Sequence, residues 1–201
     1  MKRLVVATHN RDKFAELQRE LEGLNLEVRA AFDFPGVPGV VEDGATLEEN
    51  SLKKAREISD FTGWPALADD TGLFVEALGG QPGIYAARFA GEKCTYADNV
   101  RKMLDLMRGV AAGKRQALFR TVITLYLPGE PTEVFEGRVE GVISGEARPG
   151  RAFGYDPIFL PEGSSRAFSE MDMDEKNAIS HRGRAVQKAK AFLARWASRP
   201  A

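Results

Sequence analysis

The apolar positions along this chain change period several times, and each change marks an element. Leu4-Val5-Val6-Ala7 is a short unbroken apolar run within residues 3–7, which predicts a buried strand. From Asn10 to Leu21, Phe14, Leu17 and Leu21 recur at helical spacing, and Leu26 to Ala31 alternates as a second strand. Residues 33–45 carry Pro35, Gly36, Pro38, Gly39 and Gly44 and read as loop. Thr46-Leu-Glu-Glu49 is a capping-box pattern opening a helix expected to reach about Ser59. Pro65 to Ala68 predicts a buried strand that ends at Asp69-Asp70-Thr71-Gly72, with a further extended segment over Leu73 to Ala77. Gly79-Gly80-Gln81-Pro82-Gly83 is turn or loop.

In the second half, Val100, Met103, Leu104 and Met107 share one face of a helix expected over Tyr96 to Met107. Gln116 to Leu127 and Thr132 to Val142 are rich in β-branched residues and predict a hairpin through Pro128-Gly-Glu-Pro131. Residues 144–152 read as loop, Tyr155 to Leu160 as a short strand, and Ser180 to Trp196 as a final helix. Strand, polar turn and helix at the N-terminus, followed by mixed strands and helices, place the chain in the α/β class.

Composition narrows the function. At 201 residues the chain is expected to be one domain, 1–201, of two lobes. A 43% apolar content and 28% charged residues exclude wholesale disorder. The net charge of -1 argues against a nucleic-acid polymer as partner, because such surfaces carry a basic excess. Cys94 is the single cysteine, so an intrachain disulfide and a Cys-rich zinc site are both excluded. The apolar runs are far short of the ~20 residues that span a bilayer. His9, Asn10, Arg11 and Asp12 interrupt the N-terminal one, unlike a signal peptide. The expected setting is the cytoplasm, with no membrane partner.

Four segments carry candidate chemistry. Thr8-His9-Asn10-Arg11-Asp12-Lys13 lies between a strand and a helix start, where backbone amides and the helix dipole favour an anion and Lys13 adds a charge. The same residues also suit a plain helix cap. Asp69 and Asp70, at the expected strand end, are adjacent acids that want a cation, and a hard one such as Mg²⁺ suits oxygen ligands. A solvated turn is the competing account, and Glu42 is either a third carboxylate or an exposed loop acid. In Phe153-Gly154-Tyr155-Asp156-Pro157, Phe153 offers a face for stacking a base and Asp156 an acceptor for a base N–H; a core aromatic in a turn reads equally simply. Finally, Lys176, His181 and Arg182 place three donors around an expected helix start at Ser180, where they either read a carbonyl oxygen or stand solvated.

Taken in order, six segments resemble the Ham1-type inosine triphosphate pyrophosphatases, also called XTP/dITP diphosphatases. They are Ala-Thr-His-Asn-Arg-Asp-Lys (7–13), Glu-Glu-Asn-Ser-Leu-Lys-Lys-Ala (48–55), Ala-Asp-Asp-Thr-Gly-Leu (68–73), Leu-Gly-Gly-Gln-Pro-Gly-Ile-Tyr-Ala-Ala-Arg (78–88), Phe-Gly-Tyr-Asp-Pro-Ile-Phe (153–159) and Glu-Lys-Asn-Ala-Ile-Ser-His-Arg-Gly (175–183). The resemblance implies an α/β fold with a mixed central sheet and flanking helices, two lobes around a deep substrate cleft, and a homodimer. It implies hydrolysis of deaminated purine nucleoside triphosphates (dITP, ITP, XTP) to monophosphate and pyrophosphate, with Mg²⁺ as cofactor. Thr8, His9, Asn10, Arg11, Asp12, Lys13 and Lys54 match the triphosphate positions, Glu42 and Asp70 the metal positions, and Asp70 with Asp69 the catalytic acids. Thr71, Phe153, Gly154, Tyr155, Asp156, Lys176, His181 and Arg182 match the remaining substrate positions, most of them for the base. The competing accounts are a nucleotide hydrolase of different base preference and a nucleotide-binding module without catalysis.

Overall fold

Leu4, Val5 and Val6 are all fully buried, so the first strand must be covered on both faces. It runs in a computed structural model that describes residues 1–151 and 153–199. Strand β1 (Lys2–Val6) pairs in parallel with β2 (Leu26–Ala30), register Leu4 to Val28, and with β3 (Ala66–Val75) at Val5–Ala66 and Val6–Leu67. The remaining strands are β4 (Pro82–Gly83), β5 (Gln116–Tyr126), β6 (Glu133–Ile143) and β7 (Phe159–Pro161). Their order in the sheet is β2-β1-β3-β5-β6-β7, with β4 on β3. The β3–β4 and β6–β7 pairs are antiparallel, so the sheet is mixed. The helices are α1 (Arg11–Leu21), α2 (Leu47–Thr62), α3 (Tyr96–Leu106), α4 (Met173–Ile179) and α5 (His181–Ala197).

The chain divides into two compact units, the first made of residues 1–70, 121–137 and 182–201, the second of 71–120 and 138–181. In the first unit the alternation of β1 feeds two cores. Leu4 and Val6 pack with Leu17 and Leu21 of α1 and with Ala185, Ala189 and Leu193 of α5. Val5 and Ala7 point the other way, to Ala55 and Ile58 of α2. Each such fully buried Val or Leu contributes roughly 1.5–3 kcal/mol. In the second unit Met103 and Met107 pack with Phe119 of β5 and with Phe159 and Phe168.

Local signals account for the helix ends. Asn10 caps α1, its side chain accepting from the amides of Asp12 and Lys13 at 2.9 and 3.1 Å. The Thr46 hydroxyl accepts from Glu49 N at 3.1 Å and caps α2. That helix stops at Gly63, whose left-handed φ of 69° a side chain would disfavour.

Three expectations change. Residues 69–72 do not end a strand, because β3 continues through them to Val75. The ladder to β1 stops at Leu67, yet β3 is also hydrogen-bonded to β5, and β4 pairs at Leu73 and Phe74, so the strand continues. Gly72 serves that close approach rather than a turn, since a Cβ there would meet the Phe74 ring at 2.8 Å and Gly83 O at 3.0 Å. The strand expected over 155–160 opens instead as a 3₁₀ turn, Asp156–Ile158, with Pro157 in its first turn, and β7 begins at Phe159. The segment before the last helix forms its own helix, α4, capped by Asp172, which accepts from Glu175 N while Glu175 accepts from Asp172 N. Ser180 closes α4 and immediately precedes α5, which opens at His181, where the helix start was expected. The loop expected over 144–152 is described as far as Arg151; residue 152 lies outside the described residues, as do 200 and 201 at the end of the expected domain. Among the described residues, no helix is long and apolar enough to cross a membrane.

Candidate active site

The first unit gathers charged side chains from α1, the 42–44 loop, α2, β3 and α5. Asp69 and Asp70 are only 2% and 4% exposed, so their negative charge must be met inside the protein. Asp69 receives two cations on one oxygen, Lys13 Nζ from the first turn of α1 and Arg182 Nη2 from the start of α5, each at 3.2 Å from Oδ2. Arg182 Nη1 also reaches Glu16 Oε2 at 2.5 Å. Lys54, a buried residue of α2, donates to Glu42 Oε1 at 2.5 Å, to Asp69 O at 2.7 Å and to Asp70 Oδ1 at 3.2 Å. The other oxygen of Asp70 accepts from Asn50 Nδ2 at 3.2 Å, and Asn50 Oδ1 accepts from Gly44 N at 2.8 Å.

These surroundings push adjacent carboxyls in opposite directions. Burial alone would raise Asp69, but Lys13, Arg182 and Lys54 overcome it and hold the group well below the carboxylate range. Burial raises Asp70 above its ordinary 3.8; Lys54 and Lys13 oppose this, and the like charges of Glu42 and Asp69 reinforce it. Lys54 does not prevail there because its one ammonium is shared with Glu42 and the Asp69 carbonyl. Glu42 is desolvated too, yet its direct contact with Lys54 leaves its pKa lowered. Burial disfavours the Lys54 charge, and the surrounding acids more than restore it, so its pKa is raised. Neighbouring groups driven apart in this way are suited to different roles: Asp69 as a fixed anion, Asp70 as a proton acceptor.

Of the N-terminal segment, Lys13 reaches the acids. Thr8 Oγ1 accepts from Asn10 N at 3.1 Å, and Asn10 caps α1 together with the amides of Asp12 and Lys13. His9 is exposed beside Pro38 O, and Arg11 lies over the Phe32 ring at 4.7 Å. Thr71, next to Asp70 on β3, is half-buried.

A second group forms within the second unit. Lys176 Nζ donates to Asp156 Oδ2 at 2.6 Å and sits 4.8 Å over the Phe153 ring. Gly154 carries a left-handed φ of 55°, and the Tyr155 hydroxyl donates to Ala86 O at 2.9 Å. Burial pushes that phenol's pKa up, out of reach of ordinary titration. His181 is buried with its ring stacked on Phe119, centroids 4.3 Å apart. The guanidinium of Arg182, next in the chain, is engaged by Asp69 and Glu16 in the first unit.

Sequence patterning missed Glu16 as a site residue. It lies one turn from Lys13 and beside the apolar Leu17, and no local signal marks a partner 166 positions away. Asn50 had a signal, since it shares a face of α2 with Lys54. The 172–175 capping box, which would have revealed α4, was equally legible.

Glu42 and Asp70 offer oxygen donors alone, which suits a hard divalent cation. Among the described residues, no three of His, Cys, Asp and Glu converge as a closed metal cage. The fit is therefore to a cation that takes one or two carboxylates and completes its shell with water and substrate phosphates.

Fold and site together define an α/β protein with a buried carboxylate cluster threaded by lysine and arginine. The chain belongs to the Ham1 family, whose model matches residues 4–192. It is 45% identical over 193 residues to a protein of Geobacter sulfurreducens named dITP/XTP pyrophosphatase, covering 96% of this chain and 97% of that one. A Bacillus licheniformis protein of the same name is 42% identical, with 96% and 98% covered. Among solved structures, a HAM1 protein from Coxiella burnetii matches with a TM-score of 0.87 and 38% identity, covering 97% of this chain and all of that one. The Staphylococcus aureus Ham1 protein matches at 0.84 and 33% identity, covering 96% and 98%.

Proposed function

We propose that this chain is a Mg²⁺-dependent nucleoside triphosphate pyrophosphatase that takes dITP, ITP and XTP. Water attacks the α-phosphorus, the α–β anhydride bond breaks, and pyrophosphate leaves the monophosphate behind. The observation that carries this is the buried Asp70 carboxyl, raised by burial and held on both oxygens by Asn50 and Lys54. A carboxylate of raised pKa is a competent acceptor for the proton of the attacking water. The names of the relatives support the substrate class.

Glu42 and Asp70 would hold the cation, which when bound screens the phosphate charge. Lys13 and Lys54, now paired with Asp69, Glu42 and Asp70, would exchange part of that pairing for the phosphates, aided by residues 8–12. Asp69 stays ionised and keeps Lys13 and Arg182 in place. For the base, Phe153 would stack while Gly154, Tyr155, Asp156, Lys176 and His181 surround it, with Arg182 acting on a 6-oxo group and Thr71 touching substrate. A donor set built for a 6-oxo acceptor would be left unpaired by the amino group of adenine, which discriminates strongly. A homodimer in the cytoplasm, cleansing the nucleotide pool of deaminated purines, belongs to the same proposal.

The test is pyrophosphate release from dITP, XTP, dGTP, dATP and dUTP with Mg²⁺. The expected order puts dITP and XTP far ahead. A preference for dUTP would overturn the assignment, and binding without turnover in any metal would favour a nucleotide-binding module.

A further inference from the structure

Asn50 is 1% exposed and sits in the first turn of α2, where asparagine is a poor helix former. A buried amide in that position has to be satisfied on both of its ends. Its oxygen accepts from Gly44 N at 2.8 Å, and its nitrogen donates to Asp70 Oδ2 at 3.2 Å. The orientation of the amide is not free. Turned over, it would set its NH₂ against the Gly44 N–H and its oxygen against a carboxylate, losing both bonds. Gly44 lies two residues after Glu42, and only hydrogen fits at its α-carbon. A Cβ would meet Asn50 Oδ1 and Glu49 Cβ, both at 2.8 Å. One side chain thus ties the backbone of the Glu42 loop to the carboxylate of Asp70.

We infer that Asn50 is a positioning residue that sets the placement of Asp70 relative to the Glu42 loop, and so assembles the pair of carboxylates that would receive the divalent cation. The inference rests on the proposed metal-dependent function. Aspartate in its place could not donate to Asp70, and serine would be too short to span both partners. With Asn50 on Oδ2 and Lys54 on Oδ1, Asp70 still has lone pairs for a metal or a water, since a carboxylate offers about four acceptor directions. Groups that orient a metal-binding carboxylate typically change metal affinity about 10–100-fold when removed.

The test titrates Mn²⁺, followed by electron paramagnetic resonance, into the full chain saturated with an α,β-methylene-bridged ITP analogue. Asn50→Ala and Gly44→Ala perturb the same link from its two ends. The Gly44 variant lies on a loop, and it carries the test should the buried Asn50 variant fold poorly. Ser51→Ala is the control. It removes a buried hydroxyl from the same helix, 2.6 Å from Thr124 Oγ1, without touching the carboxylates. Both test variants are expected to weaken Mn²⁺ by about 10–100-fold, with Ser51→Ala within about twofold of wild type. If the Asn50 and Gly44 variants bind Mn²⁺ as Ser51→Ala does, the positioning role is overturned while the proposed function stands. If wild type takes up no Mn²⁺, or Asp70→Asn leaves uptake unchanged, the metal assignment itself falls and the inference with it.

Discussion

Asp69 Oδ2 is held at 3.2 Å by both Lys13, from α1, and Arg182, from α5, so one buried oxygen joins two helices that pack on the same strand. The linkage has a pH consequence. Burial works against the charged form of Asp69, but Lys13 and Arg182 outweigh it, so its folded pKa is depressed below the ordinary 3.8. A depressed carboxyl contributes stability that is present above the unfolded pKa and is lost as pH falls through the folded value. Asp69→Asn is therefore expected to melt below wild type at neutral pH, and the gap in Tm is expected to close as pH falls below 3.8. Melting curves from pH 7 down to the acid limit check this; a constant gap would dissociate Asp69 ionisation from stability.

Asp70 predicts the opposite displacement. Its pKa is raised, first by burial, and it must be ionised to accept a proton. The acid limb of kcat/KM, which reports the free enzyme, is expected above the ordinary 3.8, with activity falling as pH drops through the raised value. Asp70→Asn is expected to lose about 10²–10⁴-fold in kcat, the usual worth of a general base, and to keep the wild-type fold by circular dichroism. Unchanged kcat would remove Asp70 from catalysis.

Arg182 separates stability from recognition. Its guanidinium bridges Glu16 and Asp69 while almost fully buried. Arg182→Ala leaves two buried carboxylates without that cation, and breaking a buried pair from one side costs about 3–5 kcal/mol. Denaturant unfolding measures the loss. Binding of dITP against tripolyphosphate then locates the residue: greater loss for dITP assigns Arg182 to the base, equal loss to the phosphate end.

Gly72 tests the continuity of β3. A methyl group there would press on the Phe74 ring and on Gly83 O. Gly72→Ala is expected to cost about 1–3 kcal/mol, the range for overpacking, measured as a fall in denaturant midpoint. A neutral substitution would mean that the β3–β4 approach relaxes without penalty.

Much of this molecule is written in short-range patterns. The apolar run at Leu4–Ala7, the spacing of Phe14, Leu17 and Leu21, and the Thr46–Glu49 box each specify an element, because helix caps and side-chain periods are properties of a few neighbouring residues. The six ordered segments together resemble the Ham1 family, to which the chain belongs. The tertiary structure decided what those patterns could not contain. Asp69 to Gly72 look like a turn in isolation, and they stay extended inside β3, a strand hydrogen-bonded to both β5 and β4. Glu16 and Arg182 lie 166 positions apart, and only the packing of α1 and α5 on β1 brings them together. The opposite fates of Asp69 and Asp70 are equally invisible in a row of letters. Their charges depend on burial and on which cation the fold delivers to which oxygen, and both are set by residues remote in the chain.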